Sequence, residues 1–240
     1  MNMIAENYRR VVEDIQETAL KARRDPAAIR LVTVTKGHAL AAIREAVLAG
    51  ARWLGENYVE EALPKIAEFA GVSGIEWHMI GHVQSRKAQP VGENFAMLHS
   101  LDSLKLARRL DHFCAEQGKT LPVLLECNVS GEASKHGWTA WDEAAWEALL
   151  PDLHAISRLP NLRVLGLMTM APYSEEAEPS RPYFQRLRRL GEYLQENLPG
   201  VAFSELSMGM SGDYRVAIAE GATILRIGTA IMGVRPCAIV

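Results

Sequence analysis

The sequence predicts an α/β fold, a closed (β/α)8 TIM barrel preceded by one extra N-terminal helix. Three observations carry that expectation. The chain has 240 residues, close to the roughly 250 typical of one such barrel, so a single domain over 1–240 is expected. Eight short runs rich in β-branched and aliphatic residues alternate with stretches of helical periodicity, the pattern of parallel strands joined by right-handed crossovers. No G-x-G-x-x-G follows the first of those runs, which argues against the rival architecture, an open dinucleotide-binding sheet.

Taken in order, the N-terminal segment spaces Ile4, Tyr8, Val11, Val12, Ile15 and Ala19 three and four apart, the apolar face of a helix laid against a larger body. Strands are expected over 31–36, 53–56, 76–81, 96–100, 122–129, 163–169, 205–208 and 224–228. Helices are expected over 41–48, 59–69, 103–116, 141–159, 182–198 and 214–220. Two connections are long, 130–138 after the fifth strand and 171–182 after the sixth. In a barrel both lie at the C-terminal face, where sites are assembled, and Pro172, Pro179 and Pro182 stiffen the second into a candidate lid.

Composition narrows the function. A hydrophobic fraction of 48% and a charged fraction of 23% are globular averages, sufficient for a core without metal or disulfide staples. Net charge is −3 and the basic residues are scattered, so neither a nucleic-acid nor an anionic-membrane surface is expected. Cys114, Cys127 and Cys237 are far apart with no C-x-x-C spacing, which speaks against a redox pair or zinc and for a reducing compartment. His78 and His82 are four apart, but on a strand and without the glutamate of a zinc protease, so no metal is expected. With no apolar signal core and no long apolar run, the expected location is the cytoplasm. No broad apolar stripe is evident, which favours a monomer.

The chemistry concentrates at strand ends. In a strand of period two, Lys36 points to the same side as Val32 and Val34. Desolvation there lowers an amine's pKa toward the nucleophilic range; the alternative is a lysine that reaches out to water. The segment Leu206-Ser207-Met208-Gly209-Met210-Ser211 and the closing Arg226-Ile227-Gly228-Thr229 supply small residues after the seventh and eighth strands, with Ser211 a candidate N-cap. Backbone N–H groups in such turns hold phosphate dianions, although glycines also serve tight turns alone. Arg226 shares the inward side with Ile224 and Gly228 and needs a buried acceptor. Glu56, Glu126 or a pyridine nitrogen would each serve. No G-x-S-x-G occurs, leaving a serine hydrolase without support.

These blocks, with Gly55-Glu56-Asn57-Tyr58, Trp77-His78-Met79-Ile80-Gly81-His82, Asn128-Val129-Ser130-Gly131-Glu132 and Gly166-Leu167-Met168-Thr169-Met170-Ala171-Pro172, resemble those of the pyridoxal phosphate homeostasis protein family. That family is similar to the N-terminal barrel of alanine racemase, a fold type III pyridoxal phosphate (PLP) architecture. The resemblance implies that Lys36 forms an aldimine with PLP. It implies that Ser211 and the backbone of Gly228 and Thr229 hold the phosphate, and that Arg226 faces the pyridine nitrogen. Asn57 is implied beside the ring, with Met208, Met170 and His82 as further contacts. His82 and Arg86 depart from the family, which often has proline and usually asparagine there. The implied role is intracellular PLP (vitamin B6) homeostasis with PLP-dependent apoenzymes as partners; a cation such as Arg226 beside the ring nitrogen disfavours the pyridinium that carbanion chemistry needs, so no catalytic residue and no dedicated turnover are expected. Two alternatives stand beside it: a weak amino-acid racemase using Lys36 with Tyr214 or His82, and a cofactor-free Schiff-base aldolase.

Overall fold

In the computed structural model, which describes residues 3–235, the barrel closes. Its strands are β1 (Arg30–Val34), β2 (Trp53–Glu56), β3 (Glu76–Met79), β4 (Met97–Leu101), β5 (Leu121–Asn128), β7 (Leu162–Met168), β8 (Glu205–Ser207) and β9 (Ile224–Ile227), and β6 (Trp138–Thr139) lies outside the ring. Neighbours pair in that order, β5 with β7 past the outlying β6 and β9 back onto β1. Every pairing is parallel. The eight expected strands are therefore the eight staves. The unexpected β6 pairs with the end of β5, Cys127 against Trp138, and ties down the far end of the 130–138 connection.

Period-two alternation divides the side chains into two layers. Val32, Met97, Leu124, Met168 and Ile224 fill the barrel interior. Their neighbours Leu31, Leu98, Val123, Leu125, Leu167 and Leu225 face outward into the larger cluster shared with the helices. α1 (Met3–Lys21) buries Val11, Ile15 and Ala19 against α2 (Leu40–Ala49), α8 (Tyr214–Ala219) and α9 (Thr229–Met232). Phe184, Leu187, Leu190 and Leu194 line the inner face of α7 (Arg181–Asn197), each contributing about 1.5–3 kcal/mol on burial.

The remaining helices are α3 (Val59–Glu68), α4 (Ala88–Asn94), α5 (Leu104–Glu116) and α6 (Leu150–Ser157). α4 and α9 were not expected; they complete the count of one helix after each barrel strand. The helix expected over 141–159 instead divides into a 3-10 stretch, Glu143–Leu149, and α6. Pro151 stands in the first turn of α6, where its missing N–H costs nothing. Among the described residues no helix is long and apolar enough to cross a membrane.

Candidate functional site

A cavity of about 300 Å³ opens where the carboxyl ends of the strands converge, within the range of small-molecule sites. Lys36, Asn57, Met170, Ser211, Arg226, Gly228 and Thr229 all line it. Residues separated by almost 200 positions in sequence are thereby brought to one concave surface.

Lys36 stands two residues past β1, and the backbone on both sides of it is clamped to one buried ion cluster. Before it, Thr35 donates its hydroxyl to Glu56 Oε1 at 2.6 Å and its carbonyl accepts from Lys65 Nζ at 2.9 Å. After it, the Gly37 N–H donates to Glu61 Oε1. Lys65 closes the cluster by donating to Glu56 Oε1 and Glu61 Oε1, both at 2.7 Å. Glu61 and Lys65 lie one turn apart on α3, so the helix presents both to the strand end together. Burial pushes the Lys36 amine below the ordinary lysine range, and the Arg235 and Arg226 cations push it further, against Glu56 and Glu61. Burial likewise raises Glu56, against the pull of Lys65 and Thr35.

Arg226 is buried inside the barrel, yet neither expected carboxylate pairs with it. Its Nη1 donates to Ser207 Oγ at 2.6 Å and its Nη2 to the Thr169 carbonyl at 2.8 Å. Glu56 is engaged by Thr35 and Lys65, and Glu126 Oε2 is buried with no hydrogen-bond partner among the described residues. Two neutral acceptors thus hold the guanidinium, and Asp213 and Glu126 act on it only through longer-range attraction. Desolvation prevails and pushes Arg226 down to about 10. The group remains a cation at neutral pH.

From Arg226 a polar chain runs down the barrel interior. Ser207 Oγ lies 2.9 Å from His99 Nδ1, and His99 Nε2 lies 2.9 Å from His78 Nδ1. Burial holds both imidazoles below their usual pKa, His99 well below, so both are neutral. With Arg226 donating to Ser207, one consistent assignment has Ser207 donating to His99, and His99 to His78. The chain fixes the hydroxyl that receives Arg226.

Asn57 is seated by a close approach: a Cβ on Gly81 would fall 2.4 Å from the Asn57 carbonyl oxygen. Its Oδ1 is buried without a hydrogen-bond partner among the described residues, an acceptor left open at the cavity wall. Ser211 is not the N-cap of α8. That position is Asp213, whose Oδ1 accepts instead from the Met210 N–H at 2.6 Å. The Ser211 hydroxyl accepts from the Ala230 N–H at 3.2 Å and so joins the turn after β8 to the first turn of α9. Gly209 makes the first of those turns possible, with φ +96 and no room for a Cβ, which would meet Ala217 at 2.6 Å.

Two expected contacts lie elsewhere. Met208 is fully buried in the outer cluster with Leu206, because Ser207 between them faces inward to Arg226. His82 stands beyond the end of β3 and lines a second depression with Asp102 and His136. Tyr214 is also off the cavity wall. It donates to Asp14 on α1, and burial followed by that bond pushes its hydroxyl up to about 12. Conversely, His38, Tyr173 and Arg235 line the cavity without having been expected. His38 carried a signal, being two residues after Lys36; Tyr173 lay in the candidate lid, whose Pro172, Ser174 and Ser180 form the same wall. Cys114 and Cys127 are buried and free, and Cys237 lies outside the described residues.

Residues 4–236 match the family model described as alanine racemase, N-terminal domain. A protein from Pseudomonas aeruginosa named pyridoxal phosphate homeostasis protein is 46% identical over 236 residues, 98% of this chain and 97% of its own. The chain belongs to the pyridoxal phosphate homeostasis protein family. A second relative of that name, from Escherichia coli, is 40% identical over 243 residues, 98% of each chain. Among solved structures this family member is similar to PipY of Synechococcus elongatus with PLP bound, at a TM-score of 0.79 and 38% identity, covering 91% of this chain and all of that one. Alanine racemase of Clostridium difficile has a TM-score of 0.67 at 14% identity, over 98% of this chain and 58% of that one. That likeness establishes the shared barrel alone.

Proposed function

We propose that this chain binds pyridoxal 5'-phosphate and serves its homeostasis in the cytoplasm, as a single-domain monomer that holds the cofactor and yields it to apoenzymes without a dedicated turnover of its own. The observation that carries the reading is a desolvated lysine, clamped before and after by one ion cluster, in the same cavity as a buried arginine and the turns around Ser211. PipY, whose solved structure holds PLP, and the relatives named for PLP homeostasis support it.

The residues present fit such a ligand. Its aldehyde would meet Lys36, the amine whose neutral form burial favours. Its phosphate dianion would be met by the Ser211 hydroxyl and the backbone of Gly228 and Thr229, which line the cavity. Asn57 Oδ1 offers an acceptor that has no hydrogen-bond partner among the described residues. When bound, PLP supplies an electron sink whose strength depends on a proton at the ring nitrogen. Arg226 is a cation and a donor, so a ring nitrogen facing it stays unprotonated. Carbon-acid chemistry is thereby weakened, and the Tyr214 and His82 side chains weighed as a second acid or base lie off the cavity.

The test is a spectroscopic titration of the apo chain with PLP beside Lys36→Ala, followed by solvent deuterium exchange into the α-position of amino acids. The reading expects a visible band with the parent chain, none beyond free PLP with the variant, and exchange no faster than free PLP supports. A band of equal strength in both proteins would contradict the Lys36 assignment, and rapid protein-dependent exchange would favour the racemase instead.

A further inference from the structure

The second depression brings together three ligand-type side chains from three successive loops at the carboxyl face. His82 follows β3, Asp102 follows β4 and His136 lies in the 130–138 connection after β5. One ligand atom from each lies within 4.8 Å of the other two. His82 Nδ1 is 2.9 Å from Asp102 Oδ2, and the two imidazole rings stack with centroids 4.0 Å apart and planes 14° from parallel. The geometry points to a binding site for a divalent transition metal, zinc or a zinc-like ion, held by His82, Asp102 and His136.

Two imidazoles and one carboxylate are a borderline-soft donor set, suited to zinc, cobalt or nickel and poorly suited to magnesium or calcium, which take oxygen ligands. Tetrahedral zinc with bonds of about 2.0–2.1 Å separates its ligands by about 3.4 Å. His82 Nδ1 and Asp102 Oδ2 are 2.9 Å apart and all three ligand atoms lie within 4.8 Å of one another; His82 and His136, both exposed, rotate out of their stack to aim a ring nitrogen each at one ion. Three protein ligands leave one position for water.

The loop that carries His136 is built to hold it there. Gly137 has φ +104, and a Cβ on it would lie 2.5 Å from the Glu126 carbonyl oxygen, so the chain immediately after His136 lies flat against β5. Trp138 then enters the ladder with Cys127. Lys135, the one cation that shares the depression among the described residues, is drawn aside: its ammonium lies 2.7 Å from Glu132 Oε2 and donates to the Met170 carbonyl at 2.7 Å. Met170 lines the Lys36 cavity. Metal bound at His136 would therefore brace a loop that touches the wall of that cavity without occupying it.

The test uses the untagged full-length chain, stripped with chelator and titrated with zinc by calorimetry and with cobalt by visible absorption. The parent chain is expected to bind one metal at micromolar concentration, with a cobalt spectrum of four or five coordination, and zinc is expected to raise its thermal midpoint. Asp102→Ala and His136→Ala should each lose more than the about tenfold in affinity that removing even an outer partner costs, and both should still unfold cooperatively in the absence of metal. His112→Ala, at an exposed histidine beside Glu116, should bind as the parent does. Equal binding by all three variants, or a parent chain that requires millimolar zinc, would overturn the site and leave a hydrogen-bonded His82–Asp102 pair with a stacked neighbour.

Discussion

Replacing Glu126 with glutamine should remove a specific pH dependence from the stability of this fold. Glu126 is buried near Arg226, and its Oε2 has no hydrogen-bond partner among the described residues. Burial first, and then the Asp102 carboxylate, push its acid up to about 7 from the ordinary glutamate value of 4.5, against the pull of Arg226. The sign follows from proton linkage: between those values the folded chain holds a proton that the unfolded chain has released. Stability attached to the protonated form is thus complete below about 4.5 and is lost as pH rises through about 7. A rise of that size corresponds to about 3 kcal/mol. Glutamine keeps the shape and has no charge to acquire. In urea denaturation of the metal-free apo chain from pH 4.5 to 8.5, the difference Glu126→Gln minus parent should therefore move by up to about 3 kcal/mol in favour of the variant, most of it between pH 5 and 7. Other titrating groups cancel in that difference. A difference that stays flat with pH would refute the claim that this carboxyl is desolvated and unpaired.

Three further outcomes follow from the cluster and turns around the cavity. Lys65→Met leaves the buried Glu56 carboxylate without its cation and should cost about 3–5 kcal/mol at pH 7 by urea denaturation; a cost below 1 kcal/mol would mean that the cluster does not hold the strand end. Ser211→Ala should weaken PLP retention by about 1 kcal/mol, roughly fivefold in a fluorescence titration, with urea stability nearly unchanged; equal retention would place the phosphate elsewhere. Gly81→Ala forces a methyl against the Asn57 carbonyl and should cost about 1–3 kcal/mol, read as a lowered thermal midpoint, and an unchanged midpoint would show that the approach relaxes freely.

Much of the barrel was legible because its signals are periodic. The eight strands read as short aliphatic runs, and the inward side of β1 and β9 followed from alternation at Val32 and Ile224, which do fill the interior. α4 and α9 gave no such signal: one is seven residues long and contains Pro90 and Gly92, the other only four. The site was harder to read for physical reasons. A charge pattern proposes carboxylates as partners for Arg226, but a hydroxyl and a carbonyl satisfy it, and neither is visible without register. The resemblance implies Met208 as a contact, but alternation sets it on the side of Leu206, facing the helices. His82 and Asp102 lie beyond the last ladder residues of their strands, Met79 and Leu101, where alternation no longer says which way a side chain turns. The approach of Asp102 and His136 to His82 depends on loop geometry that local sequence does not encode.

Lys36 is the amine expected to meet the cofactor, and one measurement tests that most directly. The full-length chain is loaded with PLP, reduced with borohydride, digested and mapped by mass spectrometry. The account predicts the added phosphopyridoxyl mass on Lys36, in near-unit yield and with loss of the visible band. Label spread over surface lysines, or concentrated on Lys65 or Lys135 with Lys36 unmodified, would contradict it.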